Sequence, residues 1–201
     1  MASGTLRFVP LAYPDPPLAD DVVCVRPWRG TDLATVVEAS RDPYIPKVTT
    51  VPAPFTKGAG ERWLDRQDVR SRSGLGISLA IAENESGRDE VVGAVVLMHR
   101  GHGVYGLGYW LLPAARRRGL ASRAVALVVE WTLAHTGVAE LEALVEPWNE
   151  ASIRVAERAG FTRDRLLRAE ISVAGREADV VRYVLGGQSA RMIRSSGVQS
   201  E

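Results

Sequence analysis

A chain of 201 residues, 46% hydrophobic and 24% charged, suits one soluble domain with a full core. Its formal net charge of +1 gives no bulk attraction for nucleic acid. One cysteine, Cys24, excludes an intramolecular disulfide and a CxxC metal site, and reads as a buried thiol without chemistry of its own.

Residues 1–20 start polar and then hold Pro10, Pro14, Pro16 and Pro17, which deny regular hydrogen bonding. A flexible N-terminal arm without a signal peptide is expected there. Val22, Val23 and Val25 predict a strand. Thr31 and Asp32 open a helix that carries Leu33, Val36 and Val37. Residues 42–56 mix Pro43, Pro46, Pro52 and Pro54 with Tyr44, Ile45, Val48 and Phe55, which predicts a long irregular loop packed against the core or a pocket. A helix over 61–70 leads to strands over 77–82, 91–97 and 104–112. Gly106 and Gly108 inside the third point to a bulge or a close backbone approach.

After Pro113 the chain turns tight and basic, then runs into an amphipathic helix over 121–135. A strand over 141–145 ends at Pro147, Asn149 caps a helix over 151–159, and 163–173 with 176–185 form a final hairpin. Residues 187–201 are Gly, Ser, Gln and Arg with little apolar content, so a disordered tail is expected. The domain proper is then 21–186. No run approaches the ~18 apolar residues of a membrane span, which predicts a cytoplasmic protein with neither membrane nor nucleic acid as partner.

The chemistry concentrates between the third strand and the helix that follows it. A strand that feeds a glycine-bearing turn into a helix N-terminus is an anion site, because the first N–H groups of a helix lack internal partners and its dipole is positive there. The pattern here is Arg116-Arg117-Arg118-Gly119-Leu120-Ala121-Ser122. No GxxxxGK phosphate loop and no GxGxxG dinucleotide fingerprint is present.

Three segments together, Gly108-Tyr109-Trp110-Leu111-Leu112-Pro113, Arg116 through Ser122, and Pro147-x-Asn149-x-x-Ser152 closing at Glu157-x-x-Gly160-Phe161, resemble the GNAT superfamily of N-acetyltransferases, in its RimJ/RimL-like branch. The resemblance covers about residues 22–186. It implies an α/β (α+β) GNAT fold: one mixed, mostly antiparallel sheet of about seven strands with splayed middle strands, flanked by about four helices. It also implies acetyl-CoA as cosubstrate, with no metal. Carried over, Arg116, Arg117, Arg118, Gly119, Leu120, Ala121 and Ser122 offer N–H groups to the pyrophosphate. Backbone groups of Trp110, Leu111 and Leu112 meet the pantetheine arm, which slots between strands splayed at a bulge, and Asn149 meets it from the other side.

The reaction implied is direct acyl transfer from thioester to amine. It needs a base for the amine and an acid for the leaving thiolate. Many relatives carry a tyrosine one residue before Glu157; here that position is Ala156, and Ser152 takes the role of acid. Relatives often hold a glutamate near Tyr105 or Gly106. None stands here, and Glu146, His99, His102, Tyr105 and ordered water stay open as the base. The acceptor is expected to be a protein N-terminus, as on a ribosomal protein, or a small-molecule amine or antibiotic. The 42–56 loop and the last hairpin are its expected walls, and their few acids disfavour a polyamine. A non-catalytic acyl-CoA sensor is the reading of another class. Relatives are monomers or homodimers.

Overall fold

Strands whose alternate residues are apolar, and helices apolar along one stripe, build the molecule. The computed structural model describes residues 11–85, 88–134, 138–172 and 174–186. In chain order the strands are β1 (Leu18–Ala19), β2 (Val23–Pro27), β3 (Gly76–Glu85), β4 (Arg88–Gly101), β5 (Val104–Leu111), β6 (Glu140–Val145), β7 (Thr162–Ile171) and β8 (Glu177–Gly186). The helices are α1 (Leu33–Arg41), α2 (Ile45–Val48), α3 (Lys57–Arg72), α4 (Leu120–Ala134) and α5 (Glu150–Arg158). The strands form one sheet in the order β1-β2-β3-β4-β5-β6-β8-β7. Each neighbouring pair is antiparallel except β5 and β6.

The two-residue period of the strands sends alternate side chains to opposite faces. On one face Val95, Leu97, Tyr105, Leu107 and Leu111 pack with Leu120, Ala124, Val125 and Val128 of α4 and with Ala156 of α5. On the other, Ala94 and Trp110 pack with Val36 and Ala39 of α1, Ile45 of α2 and Trp63 of α3. Arg26 is one of the charged residues buried within this framework, 2% exposed. Its guanidinium bonds Asp32 at 2.8 and 3.1 Å and Asp89 at 2.9 Å, so its charge is paired rather than left in the core.

β1 is the strand and α2 the helix beyond the number expected. Both are too short for periodicity to reveal. The described part of the expected arm is packed: Leu11 is 2% exposed, Tyr13 and Leu18 rest on the core, and Leu18 pairs with Val25. Residues 1–10 and 187–201 lie outside the described residues. α3 begins earlier than its sequence suggests because the Thr56 hydroxyl accepts from Ala59 N–H at 3.2 Å and caps it. Cys24 is half-buried, not buried, because only its neighbours Val23 and Val25 point into the core.

β5 and β6 pair only from Val104 to Gly106 against Glu140 to Glu142. Beyond that point β5 stays with β4 and β6 stays with β8, so the sheet opens between them. No bulge causes this. β4 and β5 pair without a shift between Tyr105 and Leu111, so neither Gly106 nor Gly108 is bulged. Gly106 is instead a close approach, since a Cβ there would meet Arg100 Nε at 2.9 Å.

Candidate active site

The opening between β5 and β6 is a cavity of about 350 Å³ that both faces of the sheet line. Tyr109, Val125, Ser152 and Phe161 wall it on the α4–α5 side, and Trp63 and Gln67 on the α3 side.

Strand register decides which backbone groups face this gap. Leu112 N–H donates to Val92 C=O at 2.8 Å on the β4 side, and Gly103 C=O accepts from Ala139 N–H at 2.8 Å on the β6 side. Antiparallel pairing alternates direction residue by residue. Trp110 therefore spends its N–H and C=O on β4, as Leu112 does its N–H. Tyr109 and Leu111 turn theirs toward the gap, where no strand meets them. Of the expected arm contacts, only Leu111 has its N–H available; its C=O accepts from Arg116 Nε at 3.0 Å. Tyr109 is the residue sequence reasoning missed, because which residues face the gap follows from pairing with a distant strand. Trp110 and Leu112 are packing side chains, 7% and 6% exposed.

Past Leu112 a single 3-10 turn, Pro113–Ala115, leads to two left-handed residues, Arg117 at φ 63° and Gly119 at φ 82°. The first helical bond of α4 runs from Arg123 N–H to Gly119 C=O at 3.2 Å. The N–H groups of Leu120, Ala121 and Ser122 thus have no carbonyl within the helix, at the positive end of a 15-residue dipole. The arginines divide. Arg116 N–H bonds Pro113 C=O at 3.2 Å and its Nη2 bonds Asp42 at 2.6 Å, so Arg116 braces the turn and offers a ligand little. Arg118 bonds both oxygens of Glu83, at 2.6 and 2.7 Å. Arg117, exposed, makes no hydrogen bond or ion pair among the described residues. An exposed turn with consecutive outward N–H groups fits a pyrophosphate.

Asn149 caps α5, its Oδ1 accepting from Ser152 N–H at 3.1 Å. That bond fixes Ser152 in the first turn of α5, where its Oγ lies 3.0 Å from the Tyr109 hydroxyl. Ser152 and Ala156 share one face of α5, and both line the cavity together with Tyr109. Burial raises the Tyr109 pKa, and the bond to Ser152 opposes part of that rise.

Glu146, 8% exposed, sits at the end of β6. Its Oε1 accepts from Arg176 Nη2 at 2.6 Å, and its Oε2 accepts from the Tyr44 hydroxyl. Burial opposes its charge, but Arg176, Tyr44 and the Trp148 side chain together outweigh burial and hold the carboxyl below the usual carboxylate range. The Tyr44 pKa is raised, by burial first and by Glu146 second. A carboxylate with both oxygens engaged and a lowered pKa is a poor proton acceptor near neutrality. His99, His102 and Tyr105 are not among the residues that line the cavity. Tyr105 is 2% exposed in the core, with its ring centroid 5.1 Å from that of His99.

Because the folded pKa of Glu146 is lowered, its stabilising contribution is present above the unfolded value of about 4.3 and is lost as pH falls through the folded value. Glu146→Gln therefore makes the melting temperature fall less steeply than in the wild type as pH drops below the unfolded value of about 4.3. Asp20, Asp42 and Asp89, also lowered, preserve part of the acid sensitivity. Melting curves at stepped pH check this; parallel slopes would show that the cluster contributes nothing to acid stability.

A mixed sheet opened at its parallel pair, with a glycine turn and a helix N-terminus at the end of β5, defines the N-acetyltransferase class of α/β fold. The family model described as Acetyltransferase (GNAT) domain matches residues 23–162. The chain belongs to that family. A Bacillus subtilis protein named a probable N-acetyltransferase, YjcK, is 35% identical over 69 residues. That stretch is 34% of this chain and 38% of the relative, so the chain matches well under half of that protein's length. Among solved structures, Mycobacterium smegmatis RimJ in complex with CoA-disulfide superposes with a TM-score of 0.71 at 21% identity, over 94% of this chain and 95% of that one. RimL, described as a ribosomal L7/L12 alpha-N-protein acetyltransferase in complex with coenzyme A, gives 0.70 at 14% identity, over 83% and 95%. Among the described residues no group of His, Cys, Asp and Glu could hold a metal ion. No helix among them is long and apolar enough to cross a membrane.

Proposed function

We propose that this chain is an acetyl-CoA-dependent N-acetyltransferase, and that its acceptor is the N-terminal amine of a protein. The observation that carries the reading is a line of groups turned toward the opening. It runs from the first turn of α4, past Leu111 and Tyr109, to the Ser152 hydroxyl in a cavity open to both faces of the sheet. Family membership and the resemblance in fold to RimJ and RimL support it.

Bound acetyl-CoA supplies the thioester whose acyl carbon the amine attacks. The chain's residues then have distinct tasks. The N–H groups of Leu120, Ala121 and Ser122, with those of Arg117, Arg118 and Gly119, hold the pyrophosphate, and the Arg117 guanidinium adds charge. The Leu111 N–H and the Tyr109 backbone hold the arm as an added strand would. Ser152 Oγ holds a proton facing the cavity. Either hydroxyl of this 3.0 Å pair can donate; with the phenol, the stronger acid, as donor, the serine hydrogen is left for a ligand in the cavity. The departing thiolate takes that proton as Tyr109 passes its own to Ser152, and water in the open cavity carries the proton lost by the amine back to the phenol. Asn149 is a positioning residue through its cap on Ser152. Glu146 is likewise a positioning residue, holding Tyr44 and Arg176 at the mouth, and is not the base.

Incubating the protein with acetyl-CoA and a mixture of free-N-terminus peptides, spermidine and an aminoglycoside tests the acceptor class. Acetylated peptide by mass spectrometry is the expected product. Acetylation of the small amines alone would replace this reading with the small-molecule one.

A further inference from the structure

Six charged side chains line the cavity: Arg70, Arg100, Arg176, Glu142, Glu146 and Glu170. Four of them pair. Arg176 meets Glu146 at 2.6 Å, and Arg100 meets Glu142 at 3.5 Å. Glu142 is further held by Arg182 Nε at 2.8 Å. Two are left over. Arg70 has no carboxylate within ion-pair distance, and Glu170 makes no hydrogen bond or ion pair, among the described residues.

Neither is a loose surface charge. Arg70 Nη1 donates to Gln67 Oε1 at 2.7 Å, and Gln67, 1% exposed, is itself fixed by donating from Nε2 to Trp63 C=O at 2.6 Å. The guanidinium is therefore aimed by a buried side chain, and burial without a carboxylate partner lowers its pKa. Glu170 pairs with Ala178 where β7 and β8 approach their turn, and that turn leans on the 42–56 segment through Ser172 Oγ, which donates to Lys47 C=O at 3.3 Å. Arg70 belongs to the half of the molecule that ends at β5, Glu170 to the half that begins at β6. The opening has an uncompensated cation on one wall and an uncompensated anion on the other. A charge left unpaired on a cavity wall offers a charge-assisted contact to a ligand group of opposite sign.

We propose that the acceptor is dipolar: its amine enters against Glu170, and a carboxylate a few residues along the same peptide docks on Arg70. This rests on the N-terminal-amine reading above. It narrows the substrate class to protein N-termini with an aspartate or glutamate among their first residues. Glu170 collects the ammonium before it is deprotonated. Arg70 sets specificity.

Calorimetric titration of the CoA-saturated full chain tests this. The probes are tetrapeptide amides with a free N-terminus and a single aspartate at the second, third or fourth position, each against its asparagine twin. One aspartate peptide is expected to bind at least about tenfold more tightly than its twin, the worth of one charge-assisted contact. Arg70→Gln is expected to abolish that preference and Arg70→Lys to retain part of it. Glu170→Gln is expected to weaken both twins alike, and N-terminal acetylation of the peptides to remove the Glu170 dependence. Twins that bind equally at every position, or a preference that survives Arg70→Gln, overturn the dipolar acceptor. If the same peptides are nevertheless acetylated by the wild type with acetyl-CoA, the N-terminal-amine reading stands without it. Peptides that neither bind nor become acetylated overturn both.

Discussion

Gly119→Val weakens CoA binding by about 100-fold or more, while the folded chain loses only about 1–2 kcal/mol of stability. The two effects separate because of where Gly119 sits. Its φ of 82° lies in the left-handed region, which a β-branched residue strongly disfavours, yet a Cβ there would meet no atom within 4 Å. Nothing in the fold is displaced, so the stability loss is backbone strain alone. The turn relieves that strain by rotating Gly119 toward ordinary φ, which swings its N–H and those of Arg118 and Leu120 off a common anion. Losing two charge-assisted hydrogen bonds at about 1.5–3 kcal/mol each accounts for the affinity change. Calorimetry with CoA, beside a melting curve, measures both. Unchanged affinity would remove the 116–122 turn from the donor site.

Ser152→Ala lowers kcat by about 100-fold, the lower end of the range for a lost general acid, with KM for acetyl-CoA shifting by no more than about threefold. The cap of α5 is untouched, because Asn149 accepts from the Ser152 backbone and not its hydroxyl. Tyr109→Phe keeps the ring in the cavity wall and removes only the atom 3.0 Å from Ser152 Oγ. Its kcat falls by about tenfold, and the double variant is no worse than Ser152→Ala alone, since residues that act as one unit are not additive. With its pKa raised by burial, the Tyr109 phenol is protonated throughout the neutral range, so its ionisation leaves kcat flat until pH passes about 10. Independent losses that multiply in the double variant would separate Tyr109 from Ser152, and a Ser152→Ala enzyme with wild-type kcat would remove the serine as acid.

The elements proposed to hold the donor were legible because their signals are local. The β5–turn–α4 junction fell within one residue of its expected limits, since Pro113, Gly119 and the stripe Ala124, Val125 and Val128 act through near neighbours in the chain. Asn149 announced the start of α5 by its own chemistry. What failed to show was set at long range. Whether Trp110 or Tyr109 turns its backbone to the gap depends on the pairing of Leu112 with Val92. Arg116 looked like a phosphate ligand and is a brace, because Asp42, 74 residues away, takes its guanidinium. Glu146 looked like an available carboxylate and is held by Tyr44 and Arg176 from two other segments. Glu170 and Arg70 carry no sequence signal, and matter only because the sheet opening brings their walls together.

The opening between β5 and β6 is proposed to pass an acetyl group from CoA to an amine at a protein N-terminus. Thiol release from acetyl-CoA, followed when the wild-type chain meets a peptide with a free N-terminus and then the same peptide with that amine blocked, tests it most directly. The prediction is thiol release matched mole for mole by acetylated peptide, and none with the blocked peptide. Tight acetyl-CoA binding with no thiol released by any peptide would contradict it and make the chain a binding module.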